Sequence, residues 1–260
     1  MKTRSGDGQA EKSGINSFPI KCPSQGMRTR YRFFWLLAHV VMTCLYGLRI
    51  LHADRIPSRG PCLIVANHQS FLDPILVSLA CSRREFAYLA RNTLWGKYRL
   101  WHRMLALLNC IPLDTEKSDM KAIRTGLEVL KRGGVLVVFP EGARSFDGRL
   151  QEFKPGAGVL VKRAGCPVLP VAVEGAFDAF PRTSKLPRIL GCRVAVSVGK
   201  PLEPDELLKD GLKPAMQHLA ENIEELRLEA RLHLRSATRG QFPVARLADH
   251  PMNLFLQETE

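Results

Sequence analysis

Residues 62–73 have the sequence CLIVANHQSFLD, in which an apolar run leads through a polar turn into the start of a helix. The first five residues have the length and composition of a buried strand. Ser70 and Asp73 fit a helix capping box, and Pro74 suits the first turn of a helix. The stretch therefore predicts a strand, a loop and a helix in that order, which is the repeating unit of α/β proteins.

The alternation of apolar runs and helical patterns continues along the chain. Further strands are predicted at 86–90, 135–139, 168–173 and 193–198, and helices at 74–81, 94–108, 119–132 and 213–234. We expect a single α/β domain with a mostly parallel sheet flanked by helices. The last helix has one apolar face, and Glu224 and Arg231 are expected on its solvated face.

The composition limits the class of protein. The 260 residues are 45% hydrophobic, enough for one sizeable core, and their net charge of +13 predicts a polyanionic partner. A mean hydropathy of −0.08 excludes a polytopic membrane protein. The seven cysteines form no C-x-x-C pair, so we interpret them as reduced residues of a cytosolic protein without a metal site.

The N-terminal part combines positive charge with an apolar segment. Residues 1–27 are expected to form a flexible basic tail. Residues 33–48 carry no formal charge, and a helix of this length is about 24 Å long, less than the ~30 Å of a bilayer core. We predict a membrane-associated helix in 28–54 that lies in one leaflet, with an ordinary buried helix as the alternative. The α/β domain is expected over 55–238, and a C-terminal tail over 239–260.

A histidine and an aspartate follow the first predicted strand. In α/β proteins, ligand sites form in the loops at the carboxyl ends of the strands. There, Asp73 can hold the His68 imidazole so that its other nitrogen removes a proton from a hydroxyl group. The alternative is that Asp73 only caps the helix and His68 is an ordinary loop residue.

A second polar turn follows another predicted strand, in the sequence VVFPEGARS at 137–145. Gly142 allows a close approach of the backbone, Glu141 offers an acceptor for hydroxyl groups, and Arg144 offers a fork for phosphate oxygens. Such a turn suits a phosphorylated polyol. An ordinary turn with a solvated ion pair is the alternative.

Together the two turns are more specific than either alone. NHQSFLD at 67–73 followed by FPEGARS at 139–145 resembles the paired signatures of the glycerolipid acyltransferases, and VLPVAVEG at 168–175 looks like a further block of that family. The resemblance assigns the general base to His68 and its orientation to Asp73. It also assigns two further groups of residues: acceptor and phosphate binding to Glu141, Gly142 and Arg144, and the substrate pocket to Asn67, Ser70 and Pro170.

One position departs from the family pattern. Thr115 stands where the family usually has a phosphate-binding arginine, and threonine carries no charge. Lys117 or Arg144 is our hypothesis for the group that supplies the charge instead. The departure leaves the head group of the acceptor open.

The resemblance implies a complete reaction. We expect an acyl group to pass from acyl-CoA or acyl-carrier protein to a lysophospholipid, most simply 1-acyl-sn-glycerol 3-phosphate, without an acyl-enzyme, a metal or another cofactor. Another lysolipid acceptor and a non-catalytic lipid-binding protein of the same fold are the alternatives. We expect the protein on the cytoplasmic face of an anionic phospholipid membrane, in a monotopic or peripheral position.

A basic segment at 83–103 carries a net charge of +5 with tyrosine and tryptophan interleaved. This composition suits the headgroup layer of a membrane, and it also suits single-stranded nucleic acid. Because the sequence shows no nucleic-acid-binding module, we do not expect a nucleic acid partner.

Overall fold

The protein is described by a computed structural model that covers residues 27–91, 94, 103, 105–113, 120–245 and 249. Most of the two predicted tails lies outside these residues. So do Thr115, Lys117 and most of the predicted helix at 94–108.

Seven strands form one sheet in the order β1-β7-β6-β2-β5-β3-β4. They are β1 Arg49–Leu51, β2 Cys62–Ala66, β3 Phe86–Arg91, β4 Cys110–Leu113, β5 Val135–Val138, β6 Val168–Glu174 and β7 Ala195–Val198. Neighbouring strands are parallel except β6 and β7, which are antiparallel. The predicted mostly parallel sheet is confirmed, and the short strands β1 and β4 were not predicted.

Helices cover both faces of the sheet. They are α1 Thr29–Tyr46, α2 Asp73–Leu79, α3 Met120–Lys131, α4 Pro155–Arg163, α5 Ala176–Ala179, α6 Pro204–Leu207 and α7 Leu212–Ala237. In β2, Ile64 packs into the core layer with α1 and α2, whereas Leu63 and Val65 pack into the layer with α3, α4 and α7. All five residues of β2 are buried, because a parallel strand inside such a sheet is covered on both faces.

The N-terminal helix differs in its bounds from the predicted membrane segment 28–54. Helix α1 ends at Tyr46, since Gly47 takes a left-handed conformation with φ +56° and caps it. The next strand, β1, pairs with β7 and belongs to the sheet. The helix rests on α2, where the indole of Trp35 donates a hydrogen bond to the carbonyl of Ser78.

The outward face of α1 is apolar. Phe33, Leu36, Leu37 and Val40 lie along one stripe of the helix, and each is more than half exposed. Among the helices of the described residues, none has both the length and the apolar character needed to cross a membrane.

Candidate active site

The turn after β2 holds the predicted histidine and aspartate together. The Nδ1 of His68 lies 2.7 Å from Oδ2 of Asp73. The same oxygen accepts hydrogen bonds from the backbone amides of Gln69 and Ser70, each at 2.6 Å. Asp73 is fully buried, so these three contacts hold its carboxylate in one place.

Only one half of the predicted capping box forms, namely the hydrogen bond from the amide of Ser70 to Oδ2 of Asp73. The helix begins at Asp73 with Leu72 as the preceding cap residue, and no side chain caps it. Ser70 instead donates a hydrogen bond from Oγ to the carbonyl of Phe180 at 2.9 Å. The same Oγ accepts a hydrogen bond from the amide of Leu72 at 3.2 Å, so it joins the start of the helix to the segment after α5.

The imidazole of His68 is oriented for proton transfer. When Nδ1 donates its hydrogen to Asp73, the lone pair resides on Nε2, which is the form that accepts a proton. The ring stacks on Phe139 with centroids 4.3 Å apart. The His68 side chain keeps 19% of its surface exposed, so it is open to a substrate hydroxyl beyond the carboxyl end of β2.

Glu141 has a different environment from the one expected for an acceptor-binding residue. Its Oε1 accepts a hydrogen bond from the backbone amide of His68 at 2.6 Å, and its Oε2 accepts one from the amide of Gln151 at 3.0 Å. The residue is only 3% exposed. Burial raises its pKa well above the usual value, although the two amides oppose this shift. Glu141 thus braces the backbone of the catalytic turn.

The second turn also holds His68 from its other side. The amide of Ser145 donates a hydrogen bond of 2.7 Å to the carbonyl of His68. Both backbone polar groups of His68 are therefore bonded to the turn after β5. This is why two distant sequence blocks form one site.

Arg144 is half-buried and has one buried guanidinium nitrogen without a hydrogen-bond partner. Its guanidinium carbon lies 3.4 Å from the centre of the Phe71 ring. Its Nη1 is buried and makes no hydrogen bond. Burial lowers the pKa of Arg144, as do the nearby charges of Arg182 and Arg91. A buried donor in this state is costly unless an acceptor reaches it, and an anion would supply one.

A second guanidinium, that of Arg91, was not singled out from the sequence. It donates hydrogen bonds to the carbonyl of Gly142, from Nη2 at 2.6 Å and from Nε at 3.2 Å. Arg91 is the last residue of β3, which pairs with β5. The sequence did offer one sign of this role, because Arg91 directly follows the predicted strand at 86–90.

The residues assigned to the substrate pocket are bonded within the protein. The Asn67 amide donates to the carbonyl of Val173 at 2.9 Å and accepts from its amide at 2.7 Å. Pro170 is buried in β6, where its carbonyl accepts a hydrogen bond from Gly199. The Asn67 side chain thus fastens the end of β2 to β6, and the Pro170 carbonyl joins β6 to the residue after β7. Lys117, a proposed phosphate ligand, lies outside the described residues.

A buried network of charged side chains from β6 and α7 contacts the turn through Gln69. The side-chain amide of Gln69 lies 3.3 Å from Oε2 of Glu174, and Glu174 pairs with Arg227 at 3.0 Å and with Arg231 at 2.7 Å. Arg227 also pairs with Glu224 at 2.8 Å. The prediction that Glu224 and Arg231 face solvent is wrong, because these charges neutralise one another between α7 and β6.

The fold and the site define a class of protein: an α/β domain with a histidine and aspartate pair at the carboxyl edge of its sheet, beside two arginine side chains. The family model described as Acyltransferase matches residues 48–174. Within the described residues, no three His, Cys, Asp or Glu side chains come together as metal ligands would.

Known proteins with similar sequences share one printed description. The chloroplastic 1-acyl-sn-glycerol-3-phosphate acyltransferase BAT2 of Brassica napus is 29% identical over 153 residues, which are 58% of this chain and 44% of that protein. The 1-acyl-sn-glycerol-3-phosphate acyltransferase of Pseudomonas aeruginosa is 33% identical over 171 residues, 61% of this chain and 63% of that one.

A solved structure agrees with these sequence matches. The crystal structure of the 1-acyl-sn-glycerophosphate (LPA) acyltransferase PlsC from Thermotoga maritima has a TM-score of 0.62 at 26% identity, covering 77% of this chain and 83% of that chain. Over part of its length the chain is similar to 1-acyl-sn-glycerol-3-phosphate acyltransferases. It spans 42–54% of the length of the relatives from Arabidopsis thaliana, Brassica napus and Mycoplasma genitalium.

Proposed function

We propose that the protein is an O-acyltransferase that moves a fatty acyl group from a thioester to the free hydroxyl of a lysophospholipid, with 1-acyl-sn-glycerol 3-phosphate as the acceptor and phosphatidic acid as the product. The observation that carries the proposal is the 2.7 Å contact between His68 and Asp73. It orients the imidazole through Nδ1, and the same turn carries Phe71, whose ring packs against the guanidinium of Arg144. The family relatives act on this acceptor according to their names.

The proposed reaction proceeds by direct attack. Nε2 of His68 takes the proton of the acceptor hydroxyl while that oxygen attacks the thioester carbonyl carbon. Asp73 stabilises the imidazolium that forms, as the carboxylate of a catalytic triad does. The tetrahedral intermediate then collapses, the C–S bond breaks, and the thiolate leaving group receives the proton from His68. The products are an ester and a free thiol, from acyl-CoA or acyl-carrier protein.

The acceptor phosphate would bind near the guanidinium groups. Arg144 has a buried donor without a partner, and Arg91 lies close enough to lower its pKa. A dianionic phosphate relieves the repulsion between these cations and accepts their hydrogen bonds. These side chains are our candidates for the charge that Thr115 lacks.

We also propose that α1 brings the protein to an anionic membrane on its cytoplasmic face. The stripe of Phe33, Leu36, Leu37 and Val40 is more than half exposed, and Arg30 and Arg32 stand at its N-terminal end. A helix with this distribution favours the boundary between lipid headgroups and acyl chains.

The proposal is tested with purified protein, a panel of lysolipids, and both acyl-CoA and acyl-carrier protein donors, with products identified by mass spectrometry. His68→Ala should lower turnover about 10²- to 10⁴-fold, because it removes the general base. His233→Ala, an exposed histidine of α7, is the matched control and should leave turnover unchanged. Near-normal transfer by His68→Ala would contradict the mechanism, and no thioester consumption with any acceptor would favour a lipid-binding protein.

A further inference from the structure

A second exposed apolar surface lies beside the active site, away from the N-terminal helix. It consists of residues 181–190 together with Phe146, and we refer to it as the mouth surface. Leu186 and Leu190 are each 77% exposed, Ile189 is 53% exposed and Phe146 is 68% exposed. Large apolar side chains that cluster at the surface of a soluble domain mark an interaction site more often than chance exposure.

The mouth surface is ordered despite its exposed side chains. The amide of Arg188 donates a hydrogen bond of 2.7 Å to the carbonyl of Ala179, and Oγ of Ser184 donates one of 2.7 Å to the carbonyl of Leu186. The guanidinium of Arg182 stacks on the Phe146 ring at 4.4 Å. Backbone polar groups are thus bonded inward while apolar side chains point to solvent, which is the arrangement of a preformed contact surface.

Its charge indicates the kind of partner. Arg182, Lys185 and Arg188 stand among the apolar residues, and the sequence contains no acidic residue between Ala179 and Leu202. Basic side chains beside exposed leucines match a layer that is anionic at its surface and apolar below it. An anionic phospholipid bilayer has this profile.

The position of the mouth surface connects it to catalysis. The preceding residue, Phe180, accepts the hydrogen bond of Ser70 through its carbonyl, and its ring lies 5.5 Å from that of Phe71, which carries Arg144 on its face. The mouth surface therefore starts one residue after contacts with the turn that carries His68.

The mouth surface also lies on the same side of the sheet as α1. Ala176 and Ala179, which lead into it, share a core layer with Met42 and Tyr46 of α1. The carbonyl of Tyr46 accepts a hydrogen bond from Val194, close after the mouth surface. The mouth surface and α1 are therefore joined through one core layer.

We infer that the mouth surface is a second membrane contact, which takes anionic phospholipid and holds the entrance of the active site against the headgroup layer. The inference rests on the proposed function, because it assigns the route by which a membrane-borne acceptor reaches His68. Helix α1 supplies attachment, and the mouth surface supplies orientation.

The test uses the full chain and co-sedimentation with vesicles of phosphatidylcholine mixed with phosphatidylglycerol. Leu186→Ser/Ile189→Ser/Leu190→Ser should weaken vesicle binding about tenfold or more, since each leucine or isoleucine loses its burial in lipid. Leu232→Ser is the matched control, because Leu232 is 69% exposed on α7, and it should bind vesicles as the parent does. Equal weakening by Leu232→Ser would overturn the assignment.

A charge variant tests the same surface without changing an apolar side chain. Lys185→Ala/Arg188→Ala should weaken binding to the mixed vesicles about fivefold for each charge removed and leave binding to pure phosphatidylcholine vesicles unchanged. This variant decides the matter if the triple variant fails to fold. Unchanged binding to the mixed vesicles would overturn the inference.

Transfer to a short-chain, water-soluble lysophosphatidate separates this inference from the proposed function. The triple variant and the charge variant of the mouth surface should keep the parent rate with this acceptor. They should lose rate only when the acceptor is in vesicles. A parent protein that transfers to neither acceptor would refute the proposed function and leave the vesicle measurements valid. Parent-like vesicle binding, with loss of transfer only from acyl-carrier protein, would show a protein-docking surface and overturn the lipid assignment.

Discussion

Two carboxylates lie in the two turns that form the site, and their roles differ although both are buried. Asp73 and Glu141 each accept backbone hydrogen bonds from the segment around His68. Asp73 alone also holds the imidazole, whereas both oxygens of Glu141 are used by backbone amides. The comparison shows that the role of a carboxylate in this site depends on whether it faces the reacting ring or only the main chain.

The largest difference between the two carboxylates is expected when Asp73 is replaced. Asp73→Asn keeps an oxygen for the backbone amides but removes the charge that stabilises the imidazolium, so kcat should fall about 10²- to 10⁴-fold with little change in the acceptor KM. Steady-state kinetics with a thiol-release assay measures this. A circular dichroism spectrum like that of the parent is the control for folding, and a kcat within a fewfold of the parent would remove Asp73 from the mechanism.

A second test concerns the cation beside the two carboxylates. Arg144→Ala should raise the KM for a phosphate-bearing acceptor about 10- to 100-fold, because a charge-assisted hydrogen bond is lost, while the thioester KM stays the same. Arg124→Ala, an exposed arginine of α3, is the matched control. An unchanged acceptor KM would argue against a phosphate at Arg144.

Glu141 should affect stability more than chemistry. Glu141→Gln places an NH₂ group against one backbone amide, so the free energy of unfolding should fall by about 1–3 kcal/mol while the acceptor KM stays the same. Denaturant unfolding and steady-state kinetics measure the two effects. If the acceptor KM instead rises with stability unchanged, Glu141 binds substrate and is not merely a brace for the backbone.

The smallest expected effect is the dependence of folding stability on pH through Glu141. Because burial raises the pKa of Glu141, the folded state binds its proton more tightly than the unfolded chain does. This contribution to stability is complete below the ordinary value near 4.5 and is lost as pH rises through the raised pKa. Denaturant unfolding over a pH series should show this decline in the parent and not in Glu141→Gln, and parallel curves would contradict it.

The sequence predicted the local parts of the site well. His68 and Asp73 are five residues apart on one turn, so their contact follows from a strand, a loop and a helix in that order. The core strands were also predicted from local sequence, because uninterrupted apolar runs are typical of strands buried on both faces.

The predictions that depended on distant contacts were less successful. The burial of Glu224 and Arg231 requires Glu174, which lies on another element. Beside its contacts at the start of the helix, Ser70 donates a hydrogen bond to the carbonyl of Phe180, which lies far away in the sequence. Arg91 entered the site only because β3 and β5 are neighbours in the sheet. None of these partners is visible from periodicity or spacing.

The sequence by itself determined the α/β class, the histidine and aspartate pair, and the resemblance that the two turns carry, because these depend on neighbouring residues and on hydrophobic pattern. Tertiary structure alone decided which polar groups serve the reaction and which brace it. A side chain's role depends on the groups it faces, and for Glu141, Ser70 and Glu174 those groups come from parts of the chain that only the folded sheet brings together.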